Sequence, residues 1–483
     1  MKLKEIIKNL DVVELCADPD TEITGICNDS RKTSRGELFV AVKGFESDGH
    51  RFIPKAAAMG AAAVLCEDVP AVDVPYVRVR DSRRAEALAV RDFYGDPAGK
   101  MTVIGFTGTS GKTSSTYILK HILETCPGVK VGLIGTNGNM IGSRLLHTEH
   151  TTPDSLELHK LFREMADAGC THVVMEVSSH SLSLNRVAGI SFDVGIFTNL
   201  SQDHLDFHNT MEEYAAAKRL LFAQSKHGCV NADDTWADFM AEGACCPLLT
   251  YSAKGRSADL TAENIVLSAS GVEFDACLNG ERVRTSLAIP GMFSVHNALG
   301  VMAAAISAGM SLKECAVGLK TAQGVKGRME NVPTDGDYSV IIDYSHKPDA
   351  LENVLKTLRP VTRGRLIALF GCGGDRDRLK RPIMGRIAVE NADLVIVTSD
   401  NPRTEEPMAI IDEITAGTVG FESRTKVICD RTEAICWALD NARSGDVILL
   451  AGKGHEDYQV IGHEKHHMDE REIVAEHLKE REK

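Results

Sequence analysis

The chain has no apolar run approaching the ~18 residues that a membrane-spanning helix needs. Its first stretch, MKLKEIIKNLDVVELC, mixes charges into the apolar positions and lacks the h-region of a secretory signal; it reads as an ordinary amphipathic helix. Cys-x-x-Cys pairs are missing too. The thirteen cysteines are scattered, with Cys245 and Cys246 adjacent and others, such as Cys66 and Cys229, in apolar stretches. That pattern argues against a zinc or disulfide framework and for small buried hydrophobes in a reducing, cytoplasmic compartment. Positive charge is in deficit, 54 Lys and Arg against 68 Asp and Glu, for a formal charge of -14. Such a balance argues against nucleic-acid partners and anionic membranes. A phosphorylated ligand remains compatible, because phosphate sites are built locally from backbone N–H groups and a few cations. There is no internal repeat and no low-complexity tract.

What is present is a globular composition, 43% hydrophobic and 25% charged, in 483 residues, too many for one ordinary core. Three blocks separate. Residues 1–98 hold short strand-like runs (GELFVAV, AAAVLC, VPYVRV) and an Ala-rich helix near Pro54–Met59, and the turn-rich Tyr94–Lys100 makes a linker. Residues 99–329 alternate strands with helices: Met101–Phe106, Thr171–Val177 and Phe192–Thr198 are near-continuous apolar runs, as buried parallel strands should be. Thr113–Leu123 reads as a helix with Ile118, Leu119, Ile122 and Leu123 on one face. A more polar insertion (251–290) carries alternating strand patterns, and Ser294–Ala308 returns as a helix. Residues 330–483 show four strand endings, at Asp343, Phe370, Thr398 and Leu450, separated by helices as in a doubly wound sheet.

Thr107-Gly-Thr-Ser-Gly-Lys-Thr113 lies between a strand and a helix. Its glycines admit close backbone approach to phosphate oxygens, Lys112 supplies positive charge, and the Thr113 hydroxyl suits Mg²⁺. The strict P-loop pattern fails at its first glycine, which is Phe106; the plain alternative is a Gly-rich turn. Downstream, Glu176 ends a buried strand and His204 follows the next one, and both suit Mg²⁺ coordination beside nucleotide oxygens. Singly, each is a loop residue like many others. Lys218, on a helix over Met211–Phe222 with Tyr214 and Phe222 on its face, reads from periodicity as a surface lysine. The last block puts Asp343-Tyr-Ser-His346, Gly371-Cys-Gly-Gly-Asp-Arg376, Asp400-Asn-Pro-Arg403 and Gly452-Lys-Gly-His-Glu456 just beyond four strands. Such ends converge on one crevice, and acids with bases there suit a zwitterionic ligand.

With Glu-Val-Ser-Ser-His180, Asp-His-Leu-Asp206, His296-Asn-Ala298 and Gly-Arg-Met-Glu330 added in order, the whole chain resembles the Mur ligases, which build the peptidoglycan stem peptide with ATP. Asp-Asn-Pro-Arg and Gly-Lys-Gly-His-Glu narrow the resemblance to the branch that adds the third residue as diaminopimelate. The resemblance implies an α/β fold of three domains: a UDP-binding N-terminal domain, a central P-loop ATPase-like parallel sheet and a C-terminal Rossmann-like sheet. It assigns ATP to Gly108, Thr109, Ser110, Gly111, Lys112, Thr113 and Ser114, with Asn297 at adenine and Arg328 and Asp343 near ribose and phosphates. It assigns Asn28, Ser30, Phe45, Glu46 and Ser47 to the uridine nucleotide, and His150, Thr151, Thr152, Ser178 and Arg186 to the muramoyl-dipeptide arm. Arg376, Asp400, Asn401, Pro402, Arg403, Gly452 and Glu456 would hold diaminopimelate. Mg²⁺ would take Thr113, Glu176, His204 and a carbamylated Lys218. Three positions depart from common family residues: Leu184 for a glutamine, Ser110 for an asparagine and Lys347 for a threonine.

The implied chemistry is attack of the dipeptide carboxylate on the ATP γ-phosphate, aided by Lys112, Mg²⁺ and Arg328, then attack of the incoming amine on the acyl phosphate. His204 and His346 are the candidate proton acceptors, and closure against water is expected. Arg403 would pair with the far carboxylate of the amino acid, Glu456 with its distal ammonium and Arg376 with the other carboxylate. The family habit implies a monomer. The alternatives are a lysine-adding ligase of the same family, a folylpolyglutamate synthase-like ligase, and a nucleotide-switched binding protein without ligase activity.

Overall fold

The computed structural model describes residues 1–44, 47–148, 150–322 and 324–481, apart from the side chain of residue 206. The chain forms two compact units, Met1–Thr261 with Leu299–Cys315, and Ala262–Ala298 with Ala316–Lys483. Among the described residues no helix is long and apolar enough to cross a membrane. All thirteen cysteines are free thiols. Cys66, Cys170, Cys229, Cys315 and Cys372 are buried as expected, whereas Cys16 and Cys245 are exposed.

The first unit opens differently from the sequence reading. A short helix, Leu3–Ile7, gives way to a strand, Val12–Cys16, antiparallel to Tyr76–Val79. The β-branched pair Val12–Val13 after Asp11 favours extended chain over continued helix. Ala63–Cys66, Leu38–Val40 and Ile26–Cys27 complete this sheet in parallel. The helix Ser82–Phe93 packs Ala85 and Ala89 into its core, capped by Asp81, which accepts from Arg84 N.

The larger sheet of the first unit has Thr102–Thr107 between His172–Glu176 and Phe192–Phe197, all parallel. Val131–Ile134 lies outward on one side, and Ser225–Asn231 and Leu248–Ser252 on the other. Phe106 pairs with Glu176 and Thr107 with Phe197, so three strands end level with the glycine-rich loop. The helix Lys112–Glu124 buries Ile118, Leu119, Ile122 and Leu123, the face expected from the sequence.

The second unit contains an antiparallel hairpin, Gly271–Leu278 with Glu281–Leu287, and a six-stranded sheet. The sheet runs in the order Glu330–Val332, Ser339–Asp343, Val447–Ala451, Leu366–Phe370, Leu394–Val397, Thr425–Val427. Its first pair is antiparallel and the rest parallel. Leu366–Phe370 and Val447–Ala451 are buried at every position, which is why they read as unbroken apolar runs rather than alternating ones. Asp343 and Phe370 both pair with Ala451, and Phe370 with Val397, so four carboxyl ends fall level. The doubly wound sheet expected from the sequence is present.

Candidate active site

In the first unit the glycine-rich loop is shaped for close backbone approach. Gly111, at φ 83°, starts the helix Lys112–Glu124, and Gly108, at φ 148°, passes so near the next strand end that a Cβ would collide with Thr198 Oγ1. The loop is tied to that strand end. Thr109 N donates to Asn199 O (2.9 Å), Ser110 N to Asn199 Oδ1 (2.9 Å), and Thr198 Oγ1 to Ser110 O (2.8 Å). Lys112 Nζ donates to Gly108 O at 2.8 Å and Thr109 O at 3.1 Å, and burial pushes its pKa down. Phe106, where a P-loop has its first glycine, is fully buried in the strand.

Glu176 is buried at the end of its strand. Thr113 Oγ1 lies 3.0 Å from both carboxylate oxygens, and Thr136 donates from N (2.8 Å) and Oγ1 (3.2 Å). Burial raises the pKa of this carboxylate. Thr136 was missed in the sequence, where it lies in a polar loop with no motif. Thr151, Thr152, Ser178 and Arg186 gather at the same strand end: Thr136 Oγ1 is 3.0 Å from Thr151 Oγ1, Thr152 Oγ1 donates to Glu176 O (2.8 Å), Ser178 N donates to Thr152 Oγ1 (3.1 Å), and Arg186 Nη1 donates to Thr152 O (3.0 Å). His150 is exposed. In the loops beside the N-terminal sheet Ser30 is buried, Ser47 exposed, and Asn28 Nδ2 donates to the buried Glu86 at 2.8 Å. Phe45 and Glu46 lie outside the described residues.

Lys218 is not a surface lysine. It is 1% exposed, its Nζ donates to Gly108 O at 2.9 Å and lies 4.4 Å from the Tyr214 ring centroid, and Tyr214 OH is 3.3 Å from Thr109 Oγ1. The helix ends at Arg219, one turn earlier than expected. Burial, and then the neighbouring Lys112 charge, hold the Lys218 pKa well below that of a free lysine. His204 is exposed, has a left-handed backbone at φ 52°, and stands in a ring cluster, 4.9 Å from His180 and 6.0 Å from Tyr214 between centroids.

These groups fit a magnesium nucleotide. The loop N–H groups and Lys112 suit phosphate, and Glu176 is a fixed carboxylate beside the Thr113 hydroxyl. Among the described residues no three His, Cys, Asp or Glu side chains form a metal set by themselves. Mg²⁺ keeps waters and substrate oxygens and takes few protein ligands, and the Thr113 hydroxyl beside the Glu176 carboxylate would be such ligands.

In the second unit the four strand ends border a cavity of about 600 Å³. His346, Arg376, Asp400, Asn401, Arg403, Gly452 and Glu456 all line it. Pro402 does not; it is buried with its carbonyl against Gly374. Arg403 has φ 51° and is half-buried. Its Nη1 donates to Gly374 O at 2.8 Å, and its backbone N donates to Val460 O at 3.0 Å. Asn401 Nδ2 donates to Glu456 Oε2 (2.8 Å), which also meets Lys453 Nζ (3.2 Å). Lys453, fully buried and 3.1 Å from Asn401 Oδ1, was passed over in the sequence although it lies inside the Gly-Lys-Gly-His-Glu motif. His346 Nδ1 donates to Tyr344 O at 2.9 Å, which leaves the lone pair of the neutral ring on Nε2.

Nearby, Met329 N donates to buried Asp343 Oδ2 at 2.8 Å, and burial raises the pKa of that acid. The Arg328 guanidinium carbon lies 5.3 Å from the Tyr344 ring centroid. Asn297 is buried in the helix Met292–Ser307.

Three family models match along the chain: the Mur ligase family catalytic domain over residues 22–94, the Mur ligase middle domain over 106–305, and the Mur ligase glutamate ligase domain over 327–454. The chain belongs to the Mur ligase family. It is therefore an ATP-dependent amide-bond-forming ligase. Among the curated relatives of this Mur ligase, the UDP-N-acetylmuramoyl-L-alanyl-D-glutamate--2,6-diaminopimelate ligase of Clostridium tetani is 46% identical over 99% of the chain and 100% of the relative. A ligase of the same name, numbered 1, from Clostridium acetobutylicum is 47% identical over 99% and 100%. A solved structure of a ligase so named superposes with TM-score 0.82 at 33% identity, covering 100% of this chain and 99% of that one. The folylpolyglutamate synthase of Mycobacterium tuberculosis, with TM-score 0.57 and 16% identity over 76% and 92%, shares the fold.

Proposed function

We propose that this Mur ligase adds meso-diaminopimelate to UDP-N-acetylmuramoyl-L-alanyl-D-glutamate in peptidoglycan precursor synthesis, working in the cytoplasm. The observation that carries the reading is the cavity at four level strand ends, with Arg376 and Arg403 facing Asp400 and Glu456 in one space. Both signs of charge suit a zwitterion with a second charged end. The names of relatives matched over full length support the same substrate pair.

The mechanism rests on what the side chains can do. The loop N–H groups and Lys112 hold ATP phosphates, and Asn297, Arg328 and Asp343 are proposed for adenine, ribose and phosphates. Thr113, Glu176 and His204 would hold Mg²⁺, joined by Lys218 as a carbamate; the metal supplies charge neutralisation at the phosphoryl group. Burial lowers the Lys218 pKa, which favours the neutral amine that adds carbon dioxide. Asn28, Ser30, Ser47 and the Thr151, Thr152, Ser178 and Arg186 group take the UDP-linked dipeptide. Its carboxylate attacks the γ-phosphate, giving an acyl phosphate and ADP. The amine of diaminopimelate then attacks the acyl carbon and expels phosphate. His346 lines the amino-acid cavity with Nε2 available, which supports it over His204 as proton acceptor. The division into domains 1–98, 99–329 and 330–483 is part of this proposal.

The test is amino-acid-dependent phosphate release with ATP and UDP-linked dipeptide, comparing diaminopimelate, lysine and glutamate. Diaminopimelate should be strongly preferred. Equal or better turnover of lysine would move the chain to the lysine-adding branch, and glutamate extension of a folate without need of the UDP-linked substrate would overturn the reading.

A further inference from the structure

The two arginines of the amino-acid cavity come from different loops but rest on one turn. Arg403 Nη1 donates to Gly374 O (2.8 Å), and Arg376 Nη1 donates to the next carbonyl, that of Asp375 (3.0 Å). The turn is stitched to the segment that carries Arg403. Gly374 N donates to Asn401 O (2.9 Å), and Thr404 donates to the Asp375 carboxylate from Oγ1 (2.8 Å) and N (3.2 Å). Asp375 has a left-handed backbone at φ 52°, and its N–H donates to Glu405 Oε1 at 2.6 Å.

Behind Glu405 stands Arg381, on the helix Lys380–Asn391 and 0% exposed. Its fork grips both Glu405 oxygens, Nη1 to Oε2 at 2.9 Å and Nη2 to Oε1 at 2.8 Å. Nη1 also donates to Glu413 Oε2 at 2.8 Å and Nη2 to Gly373 O at 3.3 Å. A guanidinium taken wholly out of water loses heavily if a partner moves away, so this bidentate pair resists displacement of Glu405. Arg381 itself does not line the cavity.

We propose that Arg381, acting through Glu405, is a positioning residue that aims Arg403 and Arg376 and so sets the preference for an amino acid with a distal carboxylate over lysine. This rests on Arg403 pairing with the far carboxylate of the amino acid, as in the proposed function. Four variants of the full chain separate the possibilities: Arg403→Ala, Arg381→Lys, Glu405→Gln and Glu413→Gln. Each is measured for kcat and KM with diaminopimelate and with lysine, and for melting temperature. Glu413→Gln weakens Arg381's other carboxylate partner, which holds the Arg378 side chain and makes no bond to the Gly374–Arg376 backbone that carries the two arginines. Glu405→Gln and Arg381→Lys should raise KM for diaminopimelate about tenfold or more, with kcat changed less than about threefold, and should raise KM for lysine less, because lysine keeps only the carboxylate that meets Arg376. Glu413→Gln should lower melting temperature without raising KM. If Glu405→Gln and Glu413→Gln alike change only melting temperature, the network is a fold support and the proposal is overturned. If Arg403→Ala keeps the wild-type KM, the reading of Arg403 fails; if it raises KM while Glu405→Gln and Arg381→Lys do not, the positioning role alone fails. Should Arg381→Lys not fold, Glu405→Gln decides.

Discussion

Replacing Arg403 by Ala should erase most of the discrimination between diaminopimelate and lysine. Truncating one partner of a buried, hydrogen-bonded charge pair costs ~2–5 kcal/mol. Arg403 is half-buried, and one of its guanidinium N–H groups is already committed to Gly374 O, so water retains access to the pair. The loss therefore belongs near the lower end, about 2–3 kcal/mol, or ~30- to 150-fold in kcat/KM for diaminopimelate. Arg403→Lys keeps the charge but cannot form a planar two-bond pair, and should give about half the free-energy loss. Lysine as substrate has no far carboxylate, so its kcat/KM should barely change and the selectivity ratio should collapse. Phosphate release at saturating ATP and UDP-linked dipeptide measures both substrates in one assay. A wild-type selectivity ratio in a folded Arg403→Ala protein would refute the reasoning.

Lys218→Arg should abolish amide formation, and a carbamate carbon signal from ¹³C-labelled bicarbonate should be present in the wild type and missing in the variant; a fully active Lys218→Arg would exclude the modified lysine. Burial raises the Glu86 pKa from 4.5 to about 7, so between these values the folded state holds a proton that the unfolded state has released. That carboxyl's contribution is full below pH 4.5, falls as pH rises and is gone above about pH 7. Glu86→Gln should accordingly gain about 2–3 kcal/mol relative to wild type on going from pH 5 to pH 8 in chemical denaturation, and a pH-independent difference would contradict it. Glu470, fully buried, accepts from Arg431 Nε at 2.9 Å, and Arg431 also donates to Ala451 O at 2.9 Å. Glu470→Ala should cost about 3–5 kcal/mol by leaving that guanidinium uncompensated, read as a lowered melting transition.

The phosphate loop, the parallel strands and the four polar strand ends were legible in the sequence because each is a local pattern. A run such as Leu366–Phe370 is apolar throughout because both faces of a parallel strand are covered, and the residues just past its carboxyl end must enter the crevice. The N-terminal helix was overextended because Val12–Cys16 becomes a strand only by pairing with Tyr76–Val79, a partner far along the chain.

Lys218 shows the other limit. Helical periodicity tells which residues share a face but not which face meets the body of the protein. Lys218 is buried because Gly108, 110 positions away, offers its carbonyl there. The Lys453–Asn401–Glu456 contacts and the grip of Arg381 on Glu405 likewise join residues from separate loops and helices. Residue types and local order were thus enough to name the family and its chemistry. Which cations are buried, and what each one aims, was decided only when strand pairing brought distant loops to one edge, because desolvation and hydrogen-bond geometry belong to the assembled neighbourhood.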